Sequence, residues 1–333
     1  MSQPIASLSL DLDNKWSYMK THGDAGWDRY PTYLDVVVPR FLSVLDARSL
    51  KMTVFVVGQD ASREENFESL ASISAAGHEI GNHSFNHEPW LHLYSEQDLV
   101  SELARTEEHL ERVTGQCPIG FRGPGFSFSE TLLKVLIRRG YQYDCSTFPT
   151  VLGPLARMYY FMSTRLSREE REERKQLFGK VSEGFRSLKP YEWKFEEGTL
   201  TEIPVTTMPL FRVPIHASYV LYLAQFSKHL ARAYWKTALS MCRLTRVAPS
   251  LLLHPLDFMG CDDDRDLAFF PAMKQPSEPK ISLVAEMLDE MSRHFDVRPM
   301  CDHAAAVKAG SRTAVSSFGR PPRESTPAEV VMT

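Results

Sequence analysis

Apolar and polar positions along this chain switch repeatedly between a period of two and a period near 3.6. Residues 8–13 read as a strand, and residues 33–50 carry Val37, Phe41, Val44 and Leu45 at helical spacing. Residues 52–57 predict a β-branched buried strand, 64–76 a helix stopped by Gly77, and 78–81 a short strand. Ser95 and Asp98 form a capping box that opens a helix running to Val113, with Gly115 as its stop. Residues 119–122 and 141–144 predict strands flanking a helix over 129–139; 202–206 and 250–254 predict two more strands, and 277–294 a helix. Repeated strand–helix units imply parallel strands. The candidate polar residues fall at or just past strand ends, where a barrel places its active site.

Two regions break this rhythm. Residues 165–197 mix both charge signs densely (Arg168, Glu169, Glu170, Arg171), the mark of a solvated helix or an insertion. Residues 203–256 contain no acidic residue, while Lys228, Arg232 and Lys236 repeat every fourth position as a basic stripe on a helix. Tyr219, Leu223, Phe226 and Leu230 offer that helix an apolar face. The stripe is either the solvated side of a peripheral barrel helix or a surface for anionic lipid. From Gly310 onward periodicity is lost, and a disordered tail is expected over 309–333.

With 333 residues, 43% of them apolar and 24% charged, the chain suits one large soluble α/β unit over 1–308 with an insertion at about 150–200. A net charge of −4 without a basic tail excludes a general nucleic-acid binder. Five scattered cysteines with no C-x-x-C pair favour free thiols in a reducing compartment. The first residues have no basic segment followed by an apolar core, so a cytoplasmic location is expected.

The chemistry concentrates in His83-Ser84-Phe85-Asn86-His87 and Asp11-Leu12-Asp13. Histidines four apart share one face of a helical turn, and carboxylates two apart share one face of a strand. Two histidines and one aspartate make a facial ligand set, leaving the second aspartate as a base on activated water. Two carboxylates on one face repel unless a cation joins them, so a mere strand end is a poor account of Asp11 and Asp13. The missing Glu after His83 argues against a His-Glu-x-x-His metalloprotease.

These segments resemble the polysaccharide deacetylase family, the NodB-homology group of carbohydrate esterases. His83-Ser84-x-x-His87 matches its metal motif, and Asp11-Leu12-Asp13 stands where the family usually has two adjacent aspartates. Arg122-Gly123-Pro124-Gly125 resembles its Arg-x-Pro motif, with Gly125 replacing the usual aromatic residue, and Leu253-His254 resembles its final Leu-x-His motif. The motifs occur in the family's order over roughly residues 7–307.

The resemblance implies a distorted (β/α) barrel with Asp13, His83 and His87 as metal ligands and Asp11 as base, oriented by Arg122. A backbone N–H near Gly125 would face the oxyanion, and His254, from a strand on the far side of the barrel, would protonate the leaving amine. Arg122 could equally be a structural ion-pair partner, and His254 a satisfied core histidine. Asp144 has three readings: it orients His254, contacts substrate, or simply ends its strand. His78, His92, His109, His216 and His303 lack a partner pattern and read as structural or exposed.

The expected activity is removal of an N-acyl group, acetyl foremost, from an amino sugar, with one divalent ion: zinc by default, with iron, cobalt or nickel compatible. A non-sugar amide or cyclic imide is the alternative substrate, and an inactive glycan-binding barrel the alternative class. Trp16, Tyr18, Trp27 and Trp90 are candidate cleft walls. The substrate is expected to be an amino sugar or glycolipid, met with peripheral contact to anionic membrane at its inner face.

Overall fold

The computed structural model describes residues 3–152, 184–310 and 314–316. The first strand, β1 (Ile5–Leu12), shows how its sequence sets the architecture. Ala6, Leu8, Leu10 and Leu12 join one buried cluster with Val37, Phe41, Trp235 and Leu239 from surrounding helices. The alternate residues Ser7, Ser9 and Asp11 are buried too, but on the inner face of the sheet. Burying both faces requires helices outside and a filled interior, the condition for a curled α/β sheet.

β1 lies between β2 (Thr53–Val56) and β8 (Ser250–Leu253), both parallel to it. From β2 the sheet continues through β3 (Glu79–Asn82), β4 (Gly120–Phe121) and β5 (Tyr143–Asp144), again in parallel. It ends with the hairpin of β6 (Tyr191–Phe195) and β7 (Gly198–Glu202), in the order β5-β7-β6, and β10 (Ala314–Ser316) beside β6. β9 (Asp296–Arg298) pairs with the start of β1. Among the described residues β8 and β10 stay unjoined, so the sheet curls into a half-barrel.

In chain order the helices are α1 (Lys15–His22), α2 (Leu34–Asp46), α3 (Gly58–Ala61), α4 (Phe67–Ala75), α5 (Glu96–Thr114) and α6 (Glu130–Arg138). After them come α7 (Ala217–Ala224), α8 (Lys228–Thr245), α9 (Ser277–His294) and α10 (Met300–Gly310). Ser95 caps α5 by accepting from the Asp98 N–H at 3.2 Å, and left-handed Gly115 ends it. Met300 and Ala304 of α10 pack with Phe55, Tyr143 and Ile203, while His303 bonds Ser7 at 2.8 Å inside the N-terminal end of the half-barrel.

Three expectations need correction. The strand expected at 202–206 ends at Glu202, because residues 191–202 close an antiparallel hairpin that strand–helix alternation does not signal. The helix expected to carry both Tyr219 and Lys236 is two helices, since Ser227 caps a new one by accepting from the Leu230 N–H at 3.2 Å. The basic stripe is also not free of acid in space: Glu286 of α9 pairs with Arg232 at 2.6 and 2.7 Å. Of the charged segment, residues 153–183 lie outside the described residues, as do 317–333 of the tail, whereas Tyr191–Phe195 is a strand of the main sheet.

Candidate metal centre

Strand ends deliver the candidate ligands. Asp13 follows β1 at the turn into α1, where Asn14 caps the helix by accepting from the Lys15 N–H at 2.8 Å. The Tyr33 hydroxyl holds the Asp13 carbonyl at 2.5 Å. His83 follows β3, but the helical turn expected over the two histidines is absent. Instead the loop bends through Ser84 and His87 in the left-handed region (φ 61° and 53°). Asn82 Oδ1 accepts from the Ser84 N–H at 2.8 Å, and Ser84 Oγ from the His87 N–H at 3.2 Å. Buried Glu102 of α5 accepts from the N–H groups of Phe85 at 3.0 Å and Asn86 at 2.6 Å. Side chains thus satisfy backbone donors that a helix would have satisfied itself.

This loop brings His83 Nε2, His87 Nε2 and a carboxylate oxygen of Asp13 within 4.8 Å of one another. Asp13 Oδ1 lies 2.8 Å from His87 Nε2 and 3.4 Å from His83 Nε2. It is buried, and neither approach has hydrogen-bond alignment. His83 Nδ1 faces the Arg122 carbonyl at 2.7 Å; a carbonyl only accepts, so Nδ1 carries the hydrogen, and the ring when neutral presents its Nε2 lone pair to Asp13. Lone pair against carboxylate is repulsive without a cation between them. Burial raises the Asp13 pKa, but the two imidazoles outweigh it and hold the carboxyl well below its usual range. Burial lowers His83, and Asp11 and Asp13 raise it more. This donor set fits one divalent ion of the kind that accepts nitrogen and oxygen ligands.

Asp11 stands beside the ligands, bonded to Arg122 Nη1 at 2.7 Å. The fully buried Arg122 guanidinium also donates to Ser9 Oγ at 3.0 Å and the Cys145 carbonyl at 3.1 Å. Behind α1, buried Asp60 accepts from Asn14 and from Trp16 Nε1, both at 2.8 Å, and Trp16 sets its edge toward His87 at 6.4 Å. Burial, partly offset by these two donors, pushes the Asp60 carboxyl up to about 7.

The site opens into a cleft of two lobes. One, of about 250 Å³, is lined by Asp11, Asp13, His83, His87, Pro89, Gly125 and Phe126. The other, of about 280 Å³, is lined by His216, Ser218, Tyr222, Leu256 and Asp257. Asp13, Tyr18, His254 and Phe270 line both. His254 follows β8, which pairs directly with β1, so it comes from the neighbouring strand rather than the far side. Ser218 Oγ lies 3.2 Å from His254 Nδ1 and donates to Asp257 Oδ1 at 2.7 Å, while Asp257 Oδ2 accepts from the His254 N–H at 2.8 Å.

Gly125 holds the second place of the one-turn helix Pro124–Phe126, where an N–H has no intrahelical acceptor, and it adopts a positive φ of 59°. Phe126, one residue later than the family's aromatic, lines the cleft and stacks on Phe148 at 4.8 Å.

Asp144 is not brought to the cleft. It is fully buried, bonded to Ser146 Oγ at 2.6 Å, and in register with Glu202 on β7. Of the four aromatic candidates for the cleft walls, Tyr18 lines the cleft, while Trp16 is buried against Asp60. His216, read from sequence as structural or exposed, lines the second lobe; Ser218, Tyr222 and Phe270 carry no sequence signal, because only the folding of α7 and the segment before α9 over the strand ends brings them there. Asp257 was visible as a neighbour of His254 but had no assigned role.

Residues 24–143 match the family model described as "Polysaccharide deacetylase". A peptidoglycan deacetylase of Helicobacter pylori is 31% identical over 112 residues, 34% of this chain and 37% of its own length. A peptidoglycan deacetylase-like protein of Gibberella zeae is 32% identical over 166 residues, 48% of this chain and 46% of its own length. The chain thus spans less than half of these curated relatives. A solved structure from Mycobacterium smegmatis, assigned to the polysaccharide deacetylases, superposes with a TM-score of 0.63 over 96% of both chains at 22% identity, which shows the shared fold.

Metal analysis after dialysis against a divalent ion is expected to give about one ion per chain, and His87→Ala to lose most of it. Unchanged content in that variant would overturn the ligand set. The Asp60 carboxyl gives a second expectation. Unfolded, it titrates near the ordinary 3.8; folded, near 7, so between these values the folded state holds more protons and stability falls as pH rises. Asp60→Asn keeps an acceptor for Asn14 and Trp16 and removes the titration. Denaturant melts from pH 4 to 7 should show a flatter decline in Asp60→Asn than in the wild type.

Proposed function

We propose that this chain, which is related to the polysaccharide deacetylase family, is a metal-dependent hydrolase removing an N-acyl group, acetyl foremost, from an amino sugar. The observation that carries this reading is one cleft lined by a ligand set (Asp13, His83, His87), a paired carboxylate (Asp11) and a hydrogen-bonded histidine (His254). Zinc is the default ion, with iron, cobalt or nickel compatible; bound there, it would polarise the acyl carbonyl and ease deprotonation of water.

The chain's own residues supply the remaining steps. Asp11, held and oriented by Arg122, takes the proton of the attacking water as its oxygen bonds the carbonyl carbon. The Gly125 N–H faces the oxygen on which negative charge develops. His254 gives its proton to the nitrogen as the carbon–nitrogen bond breaks, releasing the acid and the free amine. With the acyl oxygen toward the Gly125 N–H, the acyl group lies near Pro89, Gly125 and Phe126, and the amine-bearing half extends past His254, shared by both lobes, into the lobe of His216 and Tyr222. Apolar walls with a few fixed polar groups suit a ring bound by its C–H faces. Burial, with His254 adding to it, pushes His216 down to about 3, so it meets that ring as a neutral imidazole.

The reading extends to a lipid-linked sugar met at the inner face of a membrane. Support comes from Tyr222 of the cleft wall, which meets Phe226 edge to face at 5.4 Å between ring centres. Phe226 is 71% and Leu230 54% exposed around Lys228. The five free cysteines fit a reducing compartment. No helix among the described residues is long and apolar enough to cross a membrane. Lys228 and Lys236, rather than the paired Arg232, would supply the attraction.

Asp11→Asn is expected to keep its metal and lose about 10²–10⁴-fold in amide hydrolysis. Loss of metal together with activity would exchange the roles of Asp11 and Asp13. His254→Ala should slow an N-acetyl amino sugar far more than p-nitrophenyl acetate, whose phenolate leaves without a proton; equal slowing would remove the acid role. For the membrane, co-sedimentation should show salt-sensitive binding to anionic vesicles that weakens in a Phe226→Ala/Lys228→Glu variant. Equal, negligible binding to anionic and neutral vesicles would leave a soluble substrate.

A further inference from the structure

The peptide group between Arg122 and Gly123 is held at both ends. Its carbonyl accepts the Nδ1–H of His83 at 2.7 Å, and its N–H donates to Ser146 Oγ at 2.8 Å. A hydroxyl that accepts there has one hydrogen to give, and Ser146 gives it to Asp144 Oδ1 at 2.6 Å. His83, Arg122, Ser146 and Asp144 are all buried, so water does not substitute for any of these bonds. The chain of bonds is anchored on the sheet. Phe121 and Asp144 are register partners of β4 and β5, and the Cys145 N–H donates to the Phe121 carbonyl at 3.0 Å. Glu202, the β7 partner of Asp144, is fixed in turn by the Thr147 N–H at 3.1 Å and Trp193 Nε1 at 3.0 Å.

We propose that Asp144 and Ser146 are positioning residues for the ligand His83, acting through the Arg122–Gly123 peptide group. The proposal rests on the metal reading above. It gives Asp144, which lies outside the cleft, a role other than substrate contact or orientation of His254. Two physical effects carry it. Hydrogen bonds in series polarise one another, so a peptide whose N–H is donated to an oriented hydroxyl presents a stronger acceptor at its carbonyl. That carbonyl fixes the tautomer and ring plane of His83, and partners at this distance from a metal typically change its affinity by about 10–100-fold. Without the hydroxyl, the Gly123 N–H is a buried orphan and the peptide is free to tilt toward another acceptor. Tilting would take its carbonyl away from His83. The loop cannot absorb this elsewhere: a Cβ at Gly123 would lie 1.9 Å from the Ser127 carbonyl oxygen, so the backbone is already close-packed there.

The test measures cobalt(II) affinity of the full chain by competition with a chromophoric chelator, together with the cobalt absorption spectrum. Ser146→Ala is expected to weaken binding by about 10–100-fold and alter the spectrum, and Ser146→Thr to restore both to within a few-fold. Asp144→Asn, whose amide oxygen still accepts the serine hydrogen, should stay close to wild type, whereas Asp144→Leu should follow Ser146→Ala. Where Ser146→Ala does not fold, Ser146→Cys keeps the size, offers only a weak acceptor and should show the same loss. A nitrogen-15 histidine spectrum of the metal-free chain adds a readout independent of metal. The His83 Nδ1–H should be lost or exchange faster in Ser146→Ala. Wild-type affinity, spectrum and tautomer in folded Ser146→Ala or Ser146→Cys would overturn the proposal. Metal binding unaffected by His87→Ala would instead overturn the ligand set on which it rests.

Discussion

A guanidinium carried into the interior of a half-barrel has to be neutralised where it stands. Arg122 is fully buried, and its partners come from three strands: Asp11 and Ser9 from β1, the face of Phe55 from β2 at 4.5 Å, and the Cys145 carbonyl just after β5. Burial works against the charge, and Asp11 more than compensates, lifting Arg122 above its ordinary value. Leaving either partner alone would strand an uncompensated charge, which costs on the order of 3–5 kcal/mol. The inner face of β1 is therefore small and polar, Ser7–Ser9–Asp11, where a barrel interior would otherwise take branched apolar residues.

The same residue fixes the His83–His87 loop through its backbone. The Arg122 N–H donates to the Asn82 carbonyl at 3.1 Å, and the Arg122 carbonyl receives His83, so Asp11 and His83 are referred to one position. Asn82 also caps the loop through Ser84, while Glu102 of α5 ties its far side. The two histidines meet Asp13 because several backbone donors are satisfied from different elements at once. Such a loop tolerates left-handed Ser84 and His87, each disfavoured in isolation, because its surroundings leave no alternative.

On the outer surface, proximity in the fold rewrites what proximity in sequence suggests. The stretch from Ile203 to Leu256 lacks acids, yet α9 lays Glu286 against Arg232, so α8 presents a mixed surface rather than a uniform basic one. The features next to the cleft are instead apolar, with Phe226 and Leu230 exposed at the start of α8 beside Tyr222 of the cleft wall.

The sequence by itself determined the alternation of strand and helix, most helix ends, and a few of the polar residues that line the cleft, Asp11, Asp13, His83, His87 and His254. Capping and chirality are local: Ser95, Ser129 and Gly115 act within a few residues of themselves, so α5 and α6 start, and α5 stops, close to where their letters say. Asp11, Asp13, His83 and His87 were legible from residue type and spacing, and Arg122 and His254 through the motifs of the family that the chain resembles. What only the tertiary structure decided depends on contacts between distant residues. The β6–β7 hairpin, the loop in place of a helical turn at His83–His87, the closeness of β8 to β1, and the removal of Asp144 from the cleft all follow from which strands became neighbours. The Ser218–Asp257 contact to His254 and the aromatic walls of Tyr222 and Phe270 likewise arise from helices and loops folded over the strand ends. Periodicity tells a residue which face it occupies; only packing tells it what stands opposite.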